Sequence, residues 1–187
     1  MTETPPKLPL RLPRKHGPGT RRNVSADDGE RLVAAQSMRN AVLAGAIAII
    51  VFCGLWTAVT ALLGKVFPWM TVLLGLMLGL AIRRAGRGVD WRFPALAGVL
   101  TLLGALLGNV VIAASYTAET FGTGTLQVLG AVTRMTWPVF FDEVLTAAAG
   151  FYAVFAAALA AFYANRRLSR SEYHALRLWR DRSDGHH

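Results

Sequence analysis

Two adjacent acids, Asp142 and Glu143, are the only charged residues inside the long apolar stretches of this sequence. An acid within a membrane is costly and therefore indicates a function such as ion or proton handling. Both acids follow Pro138 by about one helical turn, which favours an interfacial position over deep burial. We therefore predict an ion-pair cluster with Lys65 and Arg134, the two cations expected on the same side. Ion or proton handling by Asp142 and Glu143 stays the alternative.

Other reactive residue types are sparse. Cys53 is the single cysteine, and the four histidines lie in the polar ends, at His16, His174, His186 and His187. The sequence has no HExxH motif and no paired histidines at helical spacing inside an apolar stretch, so it lacks the ligand patterns of metal sites. We expect no enzyme activity, no catalytic residue, no metal and no cofactor.

The composition is typical of a protein that crosses a membrane several times. Of 187 residues, 53% are hydrophobic and 17% are charged, against about 25% charged residues in soluble domains. The charges gather at the two ends and in one short loop, which leaves long uncharged stretches. The net charge of +9 therefore indicates a membrane surface, and we expect no nucleic-acid partner.

Four apolar stretches predict an all-α bundle of four transmembrane helices, with spans over 41–63, 66–82, 93–116 and 138–163. A proline-rich basic arm, predicted to be disordered, precedes the membrane domain, and a basic helix follows it. The predicted boundaries are 1–24 for the arm, 25–167 for the membrane domain and 168–187 for the tail.

Lysine and arginine counts predict the orientation. Eighteen of the twenty lie in residues 1–40, 83–92 and 164–187, which four spans place on one side, and the other side carries two. The positive-inside rule then places both termini in the cytoplasm, which predicts a multi-pass protein of the bacterial inner membrane.

Two segments outside the spans have amphipathic patterns. Residues 117–137 form a long loop in which a short helix is expected on the outer leaflet. The tail carries Ser169 and Glu172 at capping-box spacing, and it is either a plain continuation of the fourth span or an interfacial helix. In the second case, basic side chains would contact anionic lipid headgroups. These are Arg166, Arg167, Arg170, Arg177 and Arg180.

Small residues four positions apart mark candidate packing faces. They let two helix backbones approach closely and gain dispersion contacts that lipid does not replace. We expect most of them to join the protein's own helices, and alternatively one face to meet a partner subunit or a second copy. They are Gly75 and Gly79, Gly104 and Gly108, and the stripe Ala149, Ala153, Ala157 and Ala161.

Two stretches carry a family resemblance, GLMLGLAIRRAGRGVDWRFPALAGVLTLLGALLGN and FFDEVLTAAAGFYAVFAAALAAFYANRR. Over residues 66–167 the sequence resembles a group of uncharacterised small bacterial membrane proteins with a glycine-rich four-helix module. The resemblance implies the architecture and brings no activity or site residues. The small size, the missing catalytic motifs and the glycine and alanine faces lead us to expect a non-enzymatic accessory, assembly or scaffold subunit. The alternative is a small oligomeric ion or proton channel or transporter.

Overall fold

The computed structural model describes residues 24–135 and 146–184, and these residues form seven helices and no strand. The helices are α1 (Ala26–Ala34), α2 (Met38–Leu63), α3 (Met70–Gly86), α4 (Arg92–Phe121), α5 (Thr125–Met135), α6 (Ala147–Ala164) and α7 (Arg170–Asp184). The all-α prediction is confirmed for this part of the chain. Most of the predicted 1–24 arm lies outside the described residues.

Local signals set the helix ends. Ser25 begins α1 with a reciprocal capping box to Asp28, and the Ser37 hydroxyl accepts the Asn40 amide at 3.2 Å to begin α2. Gly64 and Gly122 end α2 and α4 in the left-handed conformation, each with φ of 62°. Glycine adopts this conformation without the Cβ clash that other residues meet there.

Three helices, α2, α4 and α6, are long and apolar enough to cross a membrane, and this finding indicates a membrane protein. The prediction of four such helices is therefore met in part, because by length and composition the described residues contain three. The second span, predicted over 66–82, forms the 17-residue helix α3, about 25 Å long against about 30 Å for a bilayer core. Pro68 disfavours helix at the residue before it, so α3 begins only at Met70.

The third and fourth spans also differ from their predicted bounds. α4 continues through Phe121, five residues past the predicted end, so much of the predicted 117–137 loop is helix. The short helix expected in that loop is confirmed as α5. The described part of the fourth span is α6, because residues 136–145 lie outside the described part of the chain.

The tail is a separate helix. α6 ends at Ala164 and α7 begins at Arg170, so α7 does not simply continue the fourth span. It packs instead against α1, while α3 packs against α2, α4 and α6. The described chain thus forms a bundle of four helices, α2, α3, α4 and α6, with the α1–α7 pair at one end.

Candidate functional site at the basic end of the bundle

The interior of the bundle is filled by large apolar side chains. Phe52 and Trp56 of α2 pack with Leu74, Leu78 and Ile82 of α3, and all five are nearly or fully buried. Among the described residues, the buried polar side chains are three threonines, and none is ionisable. This part of the bundle therefore offers no buried titrating group.

α3 lies unusually close to α6. A Cβ placed on Gly75 would collide with the Ala156 carbonyl, and one on Gly79 would lie 2.7 Å from the Ala160 oxygen. Because the contacts advance by four residues on both helices, α3 and α6 run parallel. The absence of a side chain at each glycine lets the two backbones approach to contact distance.

The second glycine pair contacts α2 and α3. A Cβ on Gly104 would lie 3.0 Å from Ile49 Cγ1 and 3.1 Å from Leu74 Cδ2. A Cβ on Gly108 would lie 2.9 Å from the Trp56 ring. All four glycines thus face neighbouring helices of the same chain.

The alanine face of α6 that meets the α3 glycines is not the stripe considered from the sequence. Ala156 and Ala160 make those contacts, whereas the Ala157 carbonyl lies 3.8 Å from the Cβ position of Gly98 on α4. Ala157 is buried, and the other three stripe residues, Ala149, Ala153 and Ala161, are half-buried. α6 is so rich in alanine that small residues occupy several of its faces. The spacing of alanines in the sequence therefore does not show which face packs against α3.

The predicted ion-pair cluster falls largely outside the described structure. Asp142 and Glu143 lie outside the described residues, as does the side chain of Arg134. Lys65 is exposed just after α2. The cluster therefore stays a prediction.

The basic segments of the described chain meet at one end of the bundle. The Ser37 amide donates to the Gly86 carbonyl at 3.0 Å, which joins the start of α2 to the end of α3. The Gln36 side chain accepts the Val89 amide at 3.3 Å, which ties the α3–α4 loop to the same place. Ten of the described arginines lie in α1, the α3 end and loop, and the segment from 166 onward. The structure thereby brings together charges that are far apart in sequence.

Five arginines line one cleft at this end. The cleft is open, has a volume of about 400 Å³ and is also lined by Leu32 of α1 and by Ala35, the C-cap of that helix. The arginines are Arg83, Arg84, Arg87, Arg166 and Arg167. Two of them, Arg166 and Arg167, were predicted to contact headgroups; the other three come from the end of α3 and were missed because they are remote in sequence.

The remaining predicted headgroup residues, Arg170, Arg177 and Arg180, are exposed on α7 and do not line this cleft. They therefore add positive charge to the same end of the bundle without lining the cleft. The sequence does not distinguish the cleft arginines from those of α7, since all are arginines in basic segments; only their positions in the structure do.

One acid borders the cleft arginines. Glu172 accepts from Arg166 Nη2 at 2.8 Å and from the Ser169 amide at 2.8 Å. The Ser169 backbone bond, with the Ser169 hydroxyl and the Arg166 charge, lowers the pKa of Glu172 below its ordinary value. The predicted capping box is confirmed, since the Glu172 amide also donates to the Ser169 hydroxyl at 3.3 Å.

The α1–α7 pair covers this end of the bundle. A Cβ on Gly29 would lie 2.7 Å from Trp179 Cβ and would collide with the Ala175 carbonyl. Gly29 and Ala175 are buried. No local sequence pattern marks this contact, because it joins helices from opposite ends of the described chain.

Comparisons of the chain with protein-family models, with curated proteins and with solved structures find no match.

Proposed function

We propose that this protein crosses the bacterial cytoplasmic membrane four times and acts there as a non-enzymatic accessory, assembly or scaffold subunit. In this proposal both termini are cytoplasmic, and the partners are lipid and other membrane subunits or a second copy. The observation that supports the accessory role is the apolar interior of the bundle, which is filled by large side chains.

The contact between α1 and α7 supports an even number of crossings. If only α2, α4 and α6 crossed the membrane, α1 and α7 would lie on opposite sides. They contact each other through Gly29 and Ala175, so the short helix α3 is proposed to provide the fourth crossing. The non-helical residues 64–69 would complete its passage, and arginines in its last turn would extend to the interface.

The convergence of basic segments supports the orientation. Arg83 and Arg84 lie in the last turn of α3, and Arg166 and Arg167 follow α6, so the parallel helices α3 and α6 both carry arginines at the same end. Lys65 belongs to the opposite end, where cations are few. The positive-inside rule favours the cytoplasm for the arginine-rich end.

The filled interior favours an accessory role over conduction through a single copy. Trp56 and Phe52 are almost completely buried, and their rings lie 5.6 Å apart between centroids in a tilted packing. Side chains of this size occupy the space that an axial path would need. A helical bundle of this kind can stabilise or position other membrane subunits through its exposed apolar surface.

The experiment is purification from the native host in a mild detergent, followed by measurement of the mass and composition of the complex. A stoichiometric complex with a second membrane protein supports the accessory role. A lone homo-oligomer that gives ion or proton flux in reconstituted vesicles, reduced to the protein-free level in D142N or E143Q, overturns it and establishes the alternative. R177Q, an exposed substitution on α7, is the control and is expected to leave either result unchanged.

A further inference from the structure

We propose that the five-arginine cleft is a binding site for the phosphate headgroup of an anionic membrane phospholipid. The inference rests on the proposed topology, because lipid reaches this cleft only where this end of the bundle meets a membrane surface. It goes beyond the general attraction of a basic tail, since it assigns one defined cleft lined by α1, the end of α3 and the segment after α6.

The cleft holds an excess of positive charge. In the described part of the chain, Arg166 pairs with Glu172, whereas Arg83, Arg84, Arg87 and Arg167 have no acidic partner. Gathering like charges is unfavourable unless an anion compensates for it. Arginine matches phosphate through paired N–H donors in one plane.

The backbone at Arg87 supports a role for its side chain. Arg87 is the C-cap of α3 and adopts the left-handed conformation with φ of 49°, the one positive φ at a non-glycine residue in the described chain. Glycine is the residue that most favours this conformation. Glycines do occur on both sides, where Gly86 and Gly88 give room to the Phe93 ring. An arginine thus occupies the position whose backbone favours glycine, and its side chain lines the cleft.

The surroundings favour a lipid over a free anion. A second cleft of about 230 Å³ shares Arg83, Arg166 and Arg167 and is lined further by Phe162 and Tyr163 at the end of α6. Phe162 is 65% exposed and continues the exposed apolar face of α6. Aromatic side chains beside basic ones are typical of the membrane–water interface. A headgroup held by the arginines would therefore have its acyl chains beside α6. The volume of the five-arginine cleft, about 400 Å³, lies within the usual range of ligand sites, roughly 300–1,000 Å³.

The test uses the full chain, purified in detergent and depleted of lipid, then offered an equal mixture of phosphatidylglycerol and phosphatidylcholine with identical acyl chains. Native mass spectrometry counts the bound lipids. We expect the parent to retain phosphatidylglycerol in preference to phosphatidylcholine. R84Q/R167Q should weaken that binding about tenfold or more, because two basic contacts are lost.

The matched control is R177Q/R180Q, which also removes two exposed arginines but leaves the cleft intact. It should change the affinity by less than about twofold. R87G should weaken lipid binding while its melting temperature equals or exceeds that of the parent, since glycine suits the backbone there. This variant separates lipid binding from folding.

Three results would overturn the site. One is an equal loss of lipid binding in the two double variants, and another is no preference for phosphatidylglycerol over phosphatidylcholine. The third is that inorganic phosphate stabilises the parent as much as phosphatidylglycerol does, which would assign the cleft to a free anion. A failure of the proposed topology is distinguishable from a failure of the site. Thiol labelling of intact cells would reveal an odd number of crossings. Lipid binding measured in detergent would reveal a failure of the site even if the labelling confirmed four crossings.

Discussion

Arg182 donates a hydrogen bond of 2.8 Å to Asp27, although 155 positions separate the two residues in the chain. The pair joins α7 to α1 at the basic end of the bundle. Both side chains are more than half exposed, so the ion pair itself contributes little to stability. Its significance is topological, because two helices in contact lie on the same side of a membrane.

The first prediction tests that consequence with single cysteines introduced after C53A. E30C on α1 and S171C on α7 should both resist a membrane-impermeant thiol reagent in intact cells, and T123C between α4 and α5 should react. All three positions are exposed, so protection reports the side of the membrane. Permeabilised cells, in which all three should react, are the control. Opposite behaviour of E30C and S171C would rule out four crossings.

The second prediction concerns the contact between α1 and α7. G29L should separate the two helices, because the new side chain collides with the Ala175 backbone. R182Q should leave them together, since it removes only an exposed ion pair, worth about 0–1 kcal/mol. The measurement is amide hydrogen exchange in α7, which should accelerate in G29L alone. Equal exchange in both variants would show that Gly29 does not carry the contact.

The third prediction concerns the close approach of α3 and α6. G79L should lower stability in detergent by about 1–3 kcal/mol or more, because a side chain there forces the backbones apart. G104L is expected to act in the same direction through Ile49 and Leu74. The measurement is thermal unfolding in a mild detergent.

The controls for this prediction are G54L and G150L. Both glycines are helical, and a Cβ at either position meets no atom within 4 Å. These variants should unfold like the parent. If G79L matched them, the close packing of α3 on α6 would be contradicted.

The fourth prediction follows from the lowered pKa of Glu172. A carboxyl with a lowered pKa in the folded state stabilises it above the ordinary pKa and loses that contribution as the pH falls through the lowered value. The first turn of α7 should therefore be protected at neutral pH and become less protected in acid, below about pH 4. E172Q should remove this pH dependence, since glutamine still caps the helix but does not titrate.

Amide hydrogen exchange between pH 3 and 7, corrected for intrinsic rates, measures the effect in the first turn of α7. D184N, which removes an exposed acid at the other end of the same helix, should keep the pH dependence of the parent. A pH dependence that persists in E172Q would assign the effect to another group.

The sequence by itself determined the helical class and most helix positions, because hydrophobic runs and capping residues are local signals. α2 ends at Leu63 as predicted, and Ser25 and Ser169 cap the helices that follow them. The second span was placed four residues too early, because hydropathy counts Val66 and Phe67 as membrane residues although Pro68 delays the start of the helix to Met70.

Only the tertiary structure decided which surfaces meet. Composition marks α6 as rich in small residues, but packing selects Ala156 and Ala160 as the contacts to the α3 glycines. The five-arginine cleft likewise combines Arg83, Arg84 and Arg87 with two residues about eighty positions later. Such contacts depend on how helices are oriented and paired, which is set by steric fit between whole surfaces and not by the local periodicity of one segment.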